Sequence, residues 1–213
     1  MKVCFLVQEH PFLDARIFQK EAKSLLKQGY EVTMIVPRIK GCLFDISGKM
    51  FVDSFKSDIF TYEGIKIITY EQFYPHKNLK NLNYNIKSGS YHRFNDLLTK
   101  IGIEQEADIY HAHEFFSLYS GIGIKRALHA TKAKDIKLIY DSHELDPDPH
   151  TTNNQTTKIM IDMLQFMLKE VNYLITVSES IKAWYQNLSP NLPIEIIYNS
   201  PPLSPNLSFS KRN

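Results

Sequence analysis

Glycine is scarce in this chain of 213 residues: there are 8, and the first is Gly29. A dinucleotide-binding turn needs G-x-G-x-x-G where the backbone approaches a pyrophosphate, and a Walker loop needs glycines to cradle phosphates. The first polar stretch, "QEHPFLDAR" from Gln8 to Arg16, has none, which argues against NAD, FAD and Walker-type nucleotide binding. Cysteine is scarcer still. Cys4 and Cys42 have neither metal-ligand spacing nor the density of a disulfide framework, and fit a reducing, cytoplasmic setting. No apolar run approaches the roughly 20 residues that span a bilayer. The opening run is only Val3 to Val7, and acidic Glu9 follows it without a small-residue cleavage site, so it reads as a strand and not as a secretory signal. Neither sign of charge is in excess: 25 Lys and Arg against 23 Asp and Glu leave +2, which gives no electrostatic case for a nucleic-acid partner.

What is present is an alternation of short apolar runs and helical periodicities. "KVCFLVQ" (2–8) and "EVTMIVP" (31–37) have the continuous apolar character of strands buried on both faces. Between them, Ile17, Ala22, Leu25 and Leu26 recur at helical spacing, Asp14 suits an N-cap and Gly29 a stop. Further strands are predicted at 64–70, at "ADIYHAH", at "IKLIYDSHE", at "NYLITVS" and at "IEIIYNSP". Helices are predicted over 91–101, over "FSLYSGIGIKRALHA" despite its glycines, over 158–170, and over "ESIKAWYQNL" with Ser178 as cap. The asparagine-rich 78–85 reads as an exposed loop and 146–155 as a polar loop. Strands separated by helices indicate one α/β domain, a Rossmann-like, doubly wound, mainly parallel sheet over 1–200, followed by a proline-containing tail or linker at 201–213.

In such sheets ligands bind beyond the carboxyl ends of the strands. Polar clusters fall there: "QEHPFLD", "HAHE", "DSHE", "SES" and "NS". Strand alternation puts His111 and His113 on one face. His111 is read as a buried, hydrogen-bonded core residue, and His113, nearer the strand end, as a group able to exchange a proton with a sugar hydroxyl or to bind an anion. Asp141, His143 and Glu144 follow the next strand, where they serve either as a solvated loop or as contacts to a hydroxyl-rich ligand. The amino terminus behind Ser178 suits an anion as well as a plain cap. Zinc would need a third ligand beside the two histidines, from Asp141 or His143. A deacetylase-like site would need aspartates directly after His10 and Pro11, where Phe12 and Leu13 stand. No metal is therefore expected. Lys77, Lys80, Lys87 and Arg93 with Tyr84 and Tyr91 are candidates for a membrane-facing surface, or more plainly a solvated one.

The ordered set "HPFLDARIFQKEAKSLLKQGYEVTMIVP", "ADIYHAHEFFSL", "KLIYDSHEL", "NYLITVSESI" and "IEIIYNSP" resembles the amino-terminal half of family 4 glycosyltransferases with the GT-B fold. The resemblance implies sugar transfer from a nucleotide sugar, as co-substrate and without a resident cofactor, to a sugar acceptor. It implies a catalytic role for His113, with Glu114 beside it. His10, Asp14, Arg16, His143 and Glu144 would line the acceptor side, and Ser178 and Asn199 match positions near the cleft or hinge. Two departures stand out: the first loop lacks the glycine pair of many members, and the chain stops where a donor-binding second domain begins in the family. A partner carrying that half is therefore expected, with little activity in its absence. A catalytically inactive binding or scaffolding protein on the same fold is the alternative, and a zinc-dependent hydrolase a more distant one. The expected location is cytoplasmic or membrane-peripheral.

Overall fold

The first strand explains the centre of the molecule. In β1 (Lys2–Val7), Cys4 and Leu6 enter the core on one face while Val3, Phe5 and Val7 enter a second core on the other. A strand buried on both faces must lie inside a sheet, and β1 pairs in parallel with β2 (Glu31–Arg38) on one side and β5 (Ile109–His113) on the other. The computed structural model describes residues 1–73, 78–148 and 154–200; Lys77, residues 149–153 and the segment 201–213 lie outside them. The remaining described strands are β3 (Ile59–Tyr62), β4 (Ile65–Glu71), β6 (Lys137–Ser142), β7 (Tyr173–Thr176) and β8 (Ile194–Ile196). Their order is β3-β4-β2-β1-β5-β6-β7-β8, parallel throughout except where edge strand β3 runs antiparallel to β4. The strand order reverses between β1 and β5, and that switch point is where a crevice opens in folds of this type.

The helical segment after β1 begins at Ile17, where its apolar spacing predicts, but its first turns are wide. Asp14 Oδ1 accepts from the backbone N–H groups of Arg16 and Ile17 at 2.8 and 2.9 Å, the capping role expected of it. A wide π-type turn over Ile17–Ala22 follows, with Gln19 N–H bonded to the Asp14 carbonyl and Glu21 N–H to that of Arg16, and only then α1 (Lys23–Lys27). Gly29, at φ +83°, takes the left-handed conformation that stops the helix. Phe12 anchors the preceding loop: it is fully buried in an aromatic cluster with Phe18, Phe51, Phe55, Phe60 and Tyr62. The irregular stretch after β2 is gathered by buried Arg38, whose guanidinium donates to the carbonyls of Gly41, Phe55 and Ser57 and to Thr69 Oγ1.

Two expectations need correction. The asparagine-rich stretch is α2 (Leu79–Lys87), not a loop. Leu79, Leu82 and Ile86 form its apolar face, and the asparagines make tertiary bonds: Asn83 donates to Asp162 at 2.8 Å and Asn85 to the Tyr119 hydroxyl at 2.9 Å. Tertiary packing thereby overrides the weak helix propensity of asparagine. The helix predicted from Tyr91 is instead a 3₁₀ turn at Tyr91–Arg93, then α3 (Leu97–Gln105) capped by Asp96, which accepts from Thr99 N–H.

The long helix α4 (Phe115–Lys132) forms despite Gly121 and Gly123, because the glycines provide close approach. A Cβ at Gly123 would stand 2.7 Å from Cβ of Phe94. α5 (Asn154–Met167) and α6 (Glu179–Leu188) complete the described helices, and none of these is long and apolar enough to cross a membrane. Of the basic surface residues, Lys87 is paired with Asp162 and Arg93 lies over the Tyr84 ring at 4.7 Å.

Candidate functional site

The carboxyl ends of β1, β5 and β6 bring His10, Glu114 and His143 together. Glu114 Oε1 lies 3.7 Å from His10 Nε2 and 3.6 Å from His143 Nδ1, and accepts from His143 N–H at 3.1 Å. His10 also faces Asp14 across 3.6 Å. With Glu9, Glu144, Leu145, Asp146 and Asp148, His10 and Glu114 line a pocket of about 390 Å³. Glu114 holds its place at a cost. It is the residue before α4, with φ +68° and ψ 170°, a conformation essentially restricted to glycine, and its N–H donates to the Asp141 carbonyl at 3.0 Å. Such outliers gather where the surrounding structure fixes a functional side chain.

The lining is acidic, and this sets its protonation. Burial alone would lower the His10 imidazole, but Asp14 and Glu114 outweigh it and raise it to about 10, so His10 is a cation at neutral pH. Burial would raise Asp14, yet His10 and two backbone N–H groups bring it to about 2. Asp146 rises to about 7 through burial and the carboxylates of Glu114 and Glu9.

Beneath the pocket lies a second layer that spacing along the chain only partly foretells. His111 and His113 share a face, as alternation requires, and both are buried against Phe5. His113 is completely buried; its Nδ1 meets His143 Nε2 at 3.2 Å, which links it to the pocket wall. Burial and the neighbouring His111 hold the His113 imidazole well below its ordinary value, so it is neutral at pH 7. Arg16 is directed into this layer and not into the pocket: Nη2 lies 3.0 Å from Asp141 Oδ1, Nε 2.9 Å from Glu21 Oε1, and Nη1 donates to the Ile197 carbonyl at 2.7 Å. Burial raises the Asp141 carboxyl, but the imidazoles of His111, His143 and His113 outweigh it and keep it well below the usual range. Glu21 goes the other way, to about 9, through burial and proximity to Asp141.

Glu21 is the residue that reading the motifs missed. It falls four residues after Ile17 and four before Leu25, on the apolar face of its helix, and a charge at that position was the available signal. Two sets of donor atoms are close enough to surround an ion: Glu21, His111, His113 and Asp141 in the lower layer, and His10, Glu114 and His143 in the upper. Ser178 and Asn199 join neither. Ser178 caps α6, its Oγ accepting from Ile181 N–H at 3.3 Å, and Asn199 is exposed beyond β8.

Among solved structures, a sucrose-phosphate synthase from Thermosynechococcus elongatus is similar over 94% of this chain and 90% of its own, with TM-score 0.56 and 10% identity. The catalytic domain of starch synthase IV from Arabidopsis thaliana, bound to ADP and acarbose, is similar over 92% of this chain at TM-score 0.50 and 14% identity. The present chain spans only 51% of that domain. At these identities the likeness is one of fold, the mainly parallel α/β fold of GT-B glycosyltransferases. No curated protein sequence matches the chain. The model of "Glycosyltransferase Family 4" matches residues 15–202, from the turn below the pocket to beyond the last strand. That span takes in Arg16 and the strand ends that carry His113 and His143, and the chain belongs to glycosyltransferase family 4.

Proposed function

We propose that this chain forms the acceptor side of a cleft in which a sugar is transferred from a nucleotide sugar, and that transfer requires a donor-binding half supplied by a further domain or partner. The observation that carries the reading is the convergence of His10, Glu114 and His143 from three strand ends at the switch point of a family 4 domain. Glu9, Glu114 and Glu144 suit the role of accepting hydrogen bonds from acceptor hydroxyls, and cationic His10 that of donating them. Four further carboxylates beside Glu114 repel phosphate, which favours a neutral or amine-bearing acceptor and leaves the donor phosphates to the other half. His113 acts from below through His143, and transfer depends on it. Arg16 and Asp14 hold the frame, and Asn199 and Ser178 belong to the outer rim on the side of β7 and β8. No resident cofactor is needed for this chemistry.

The test is transfer from a panel of nucleotide sugars to free monosaccharides, neutral, aminated and phosphorylated, by the chain with and without a candidate donor-binding half. Activity is expected only in the combination, and His113→Ala is expected to reduce it by about 10²-fold or more. Robust turnover by the lone chain overturns the two-half reading. A scaffolding protein on the same fold would instead bind its partner equally well with or without the His113 imidazole and show no transfer.

A further inference from the structure

Glu21, His111, His113 and Asp141 converge below the cleft from three elements: the wide turn before α1, β5, and β6. One ligand-type atom from each lies within 4.8 Å of those of the other three. The contacts inside the cluster are longer than good hydrogen bonds. Glu21 Oε2 stands 4.0 Å from His111 Nε2 and 3.9 Å from His113 Nε2, and His111 Nε2 stands 3.5 Å from Asp141 Oδ2. Buried polar atoms are nearly always hydrogen-bonded. Yet Nε2 of both histidines and Oε2 of Glu21 have no hydrogen-bond partner, although the His113 side chain is 0% exposed and that of His111 only 6%. Unshared lone pairs from several elements thus point into one small space.

We propose that these four residues bind one divalent transition-metal ion of the zinc class, as a structural site under the cleft. Two imidazoles and two carboxylates are a donor set that such an ion prefers over magnesium or calcium. Tetrahedral ligands about 2.1 Å from zinc stand about 3.4 Å apart, so donor atoms that now lie within 4.8 Å of one another close on an ion as their separations shorten by up to about 1.4 Å. The surroundings are those of ligands held from behind. His113 Nδ1 is engaged by His143 at 3.2 Å, leaving Nε2 for the ion, and Arg16 Nε takes the Oε1 side of Glu21 at 2.9 Å. A separate apolar pocket of about 370 Å³, lined in part by Glu21, His111, Ile139, Ile175 and Ile197, provides an entry path. Four protein donors fill a tetrahedral shell and leave no open position, so the ion ties the turn to β5 and β6 and does not hydrolyse substrate. The inference does not depend on the proposed transfer reaction, since it is read from metal uptake by this chain.

The experiment is calorimetric titration of the chelator-treated chain with Zn²⁺, with Mg²⁺ as comparison, together with X-ray absorption of the zinc-loaded protein. One equivalent of zinc bound at micromolar affinity or tighter, two imidazole ligands in the absorption spectrum, and no magnesium uptake are expected. Glu21→Gln and His111→Ala should each weaken zinc binding at least tenfold, while His10→Ala leaves it unchanged. Absence of stoichiometric zinc uptake by the wild-type chain overturns the proposal, as it would for a cluster satisfied by protons or water. So does uptake that survives the first two variants and is lost in His10→Ala. Should the variants fail to fold, the wild-type stoichiometry and ligand set still decide.

Discussion

Arg16 connects more of the site than any other single side chain, and its loss shows what the lower layer is worth. Its guanidinium neutralises Asp141, which is 0% exposed. Removing one partner of a buried pair leaves an uncompensated charge and costs roughly 3–5 kcal/mol. Arg16→Ala should therefore lower the denaturant midpoint strongly, and Arg16→Lys should recover only part of it because a point charge cannot span Asp141, Glu21 and the Ile197 carbonyl together. His10 and Asp14 give a pH signature. His10 has a folded value raised from 6.5 to about 10, so its contribution is complete below pH 6.5 and is lost as pH rises through about 10. Asp14 has a folded value lowered from 3.8 to about 2, so its contribution is complete above pH 3.8 and is lost as pH falls through about 2. The stability difference between wild type and His10→Gln should be largest near pH 6 and shrink toward pH 10 in urea titrations, roughly following that linkage. A difference that grows with pH would contradict the assignment. His113 and Glu114 were legible in "HAHE" because strand alternation and position relative to the strand end are local properties. The lower layer was not: Glu21 stands as a lone charge on an apolar helix face, and its partners are supplied from β5 and β6, some ninety or more residues later.

At the scale of elements, α4 tests how glycine is used. A glycine in a helix interior ordinarily costs about 1 kcal/mol relative to alanine. Gly123→Ala should nonetheless destabilise, by roughly 1–3 kcal/mol, because the added methyl group meets Phe94 at Cβ, close to a backbone that cannot swing aside. Thermal unfolding of Gly123→Ala and of the double variant Gly123→Ala, Phe94→Gly, which removes the opposing Cβ, separates crowding from propensity: relief in the double variant is expected, and additive losses would rule out the contact as cause. The parallel strands and most helices followed from apolar runs and spacing, because strands such as β1 and β2 lie inside the sheet, where they are buried on both faces. The helix α2 did not follow. Its asparagines favour turns by propensity, and packing of Leu79, Leu82 and Ile86 together with the bonds to Asp162 and Tyr119, distant in sequence, makes a helix the better arrangement.

Over the whole molecule, one sheet with its switch point between β1 and β5 collects the chemistry at one rim. The alternation of strands and helices foretold that rim, whereas the strand order and the antiparallel edge strand β3 depend on pairings that no local pattern encodes. The acidic pocket makes a prediction at this scale about partners. Binding of neutral or aminated monosaccharides to the chain should exceed that of their phosphates by at least tenfold, and the gap should narrow with added salt as screening weakens the repulsion. Competition assays at low and high ionic strength check both statements. One further feature lies at the edge of this arrangement: Arg16 grips the Ile197 carbonyl and Lys20 that of Ser200, so the strand leaving β8 is clasped to the turn that carries Asp14 and Glu21. The segment from Ile197 to Ser200 is thereby tied to the floor of the pocket. A displacement of that segment reaches Asp141 through a single guanidinium.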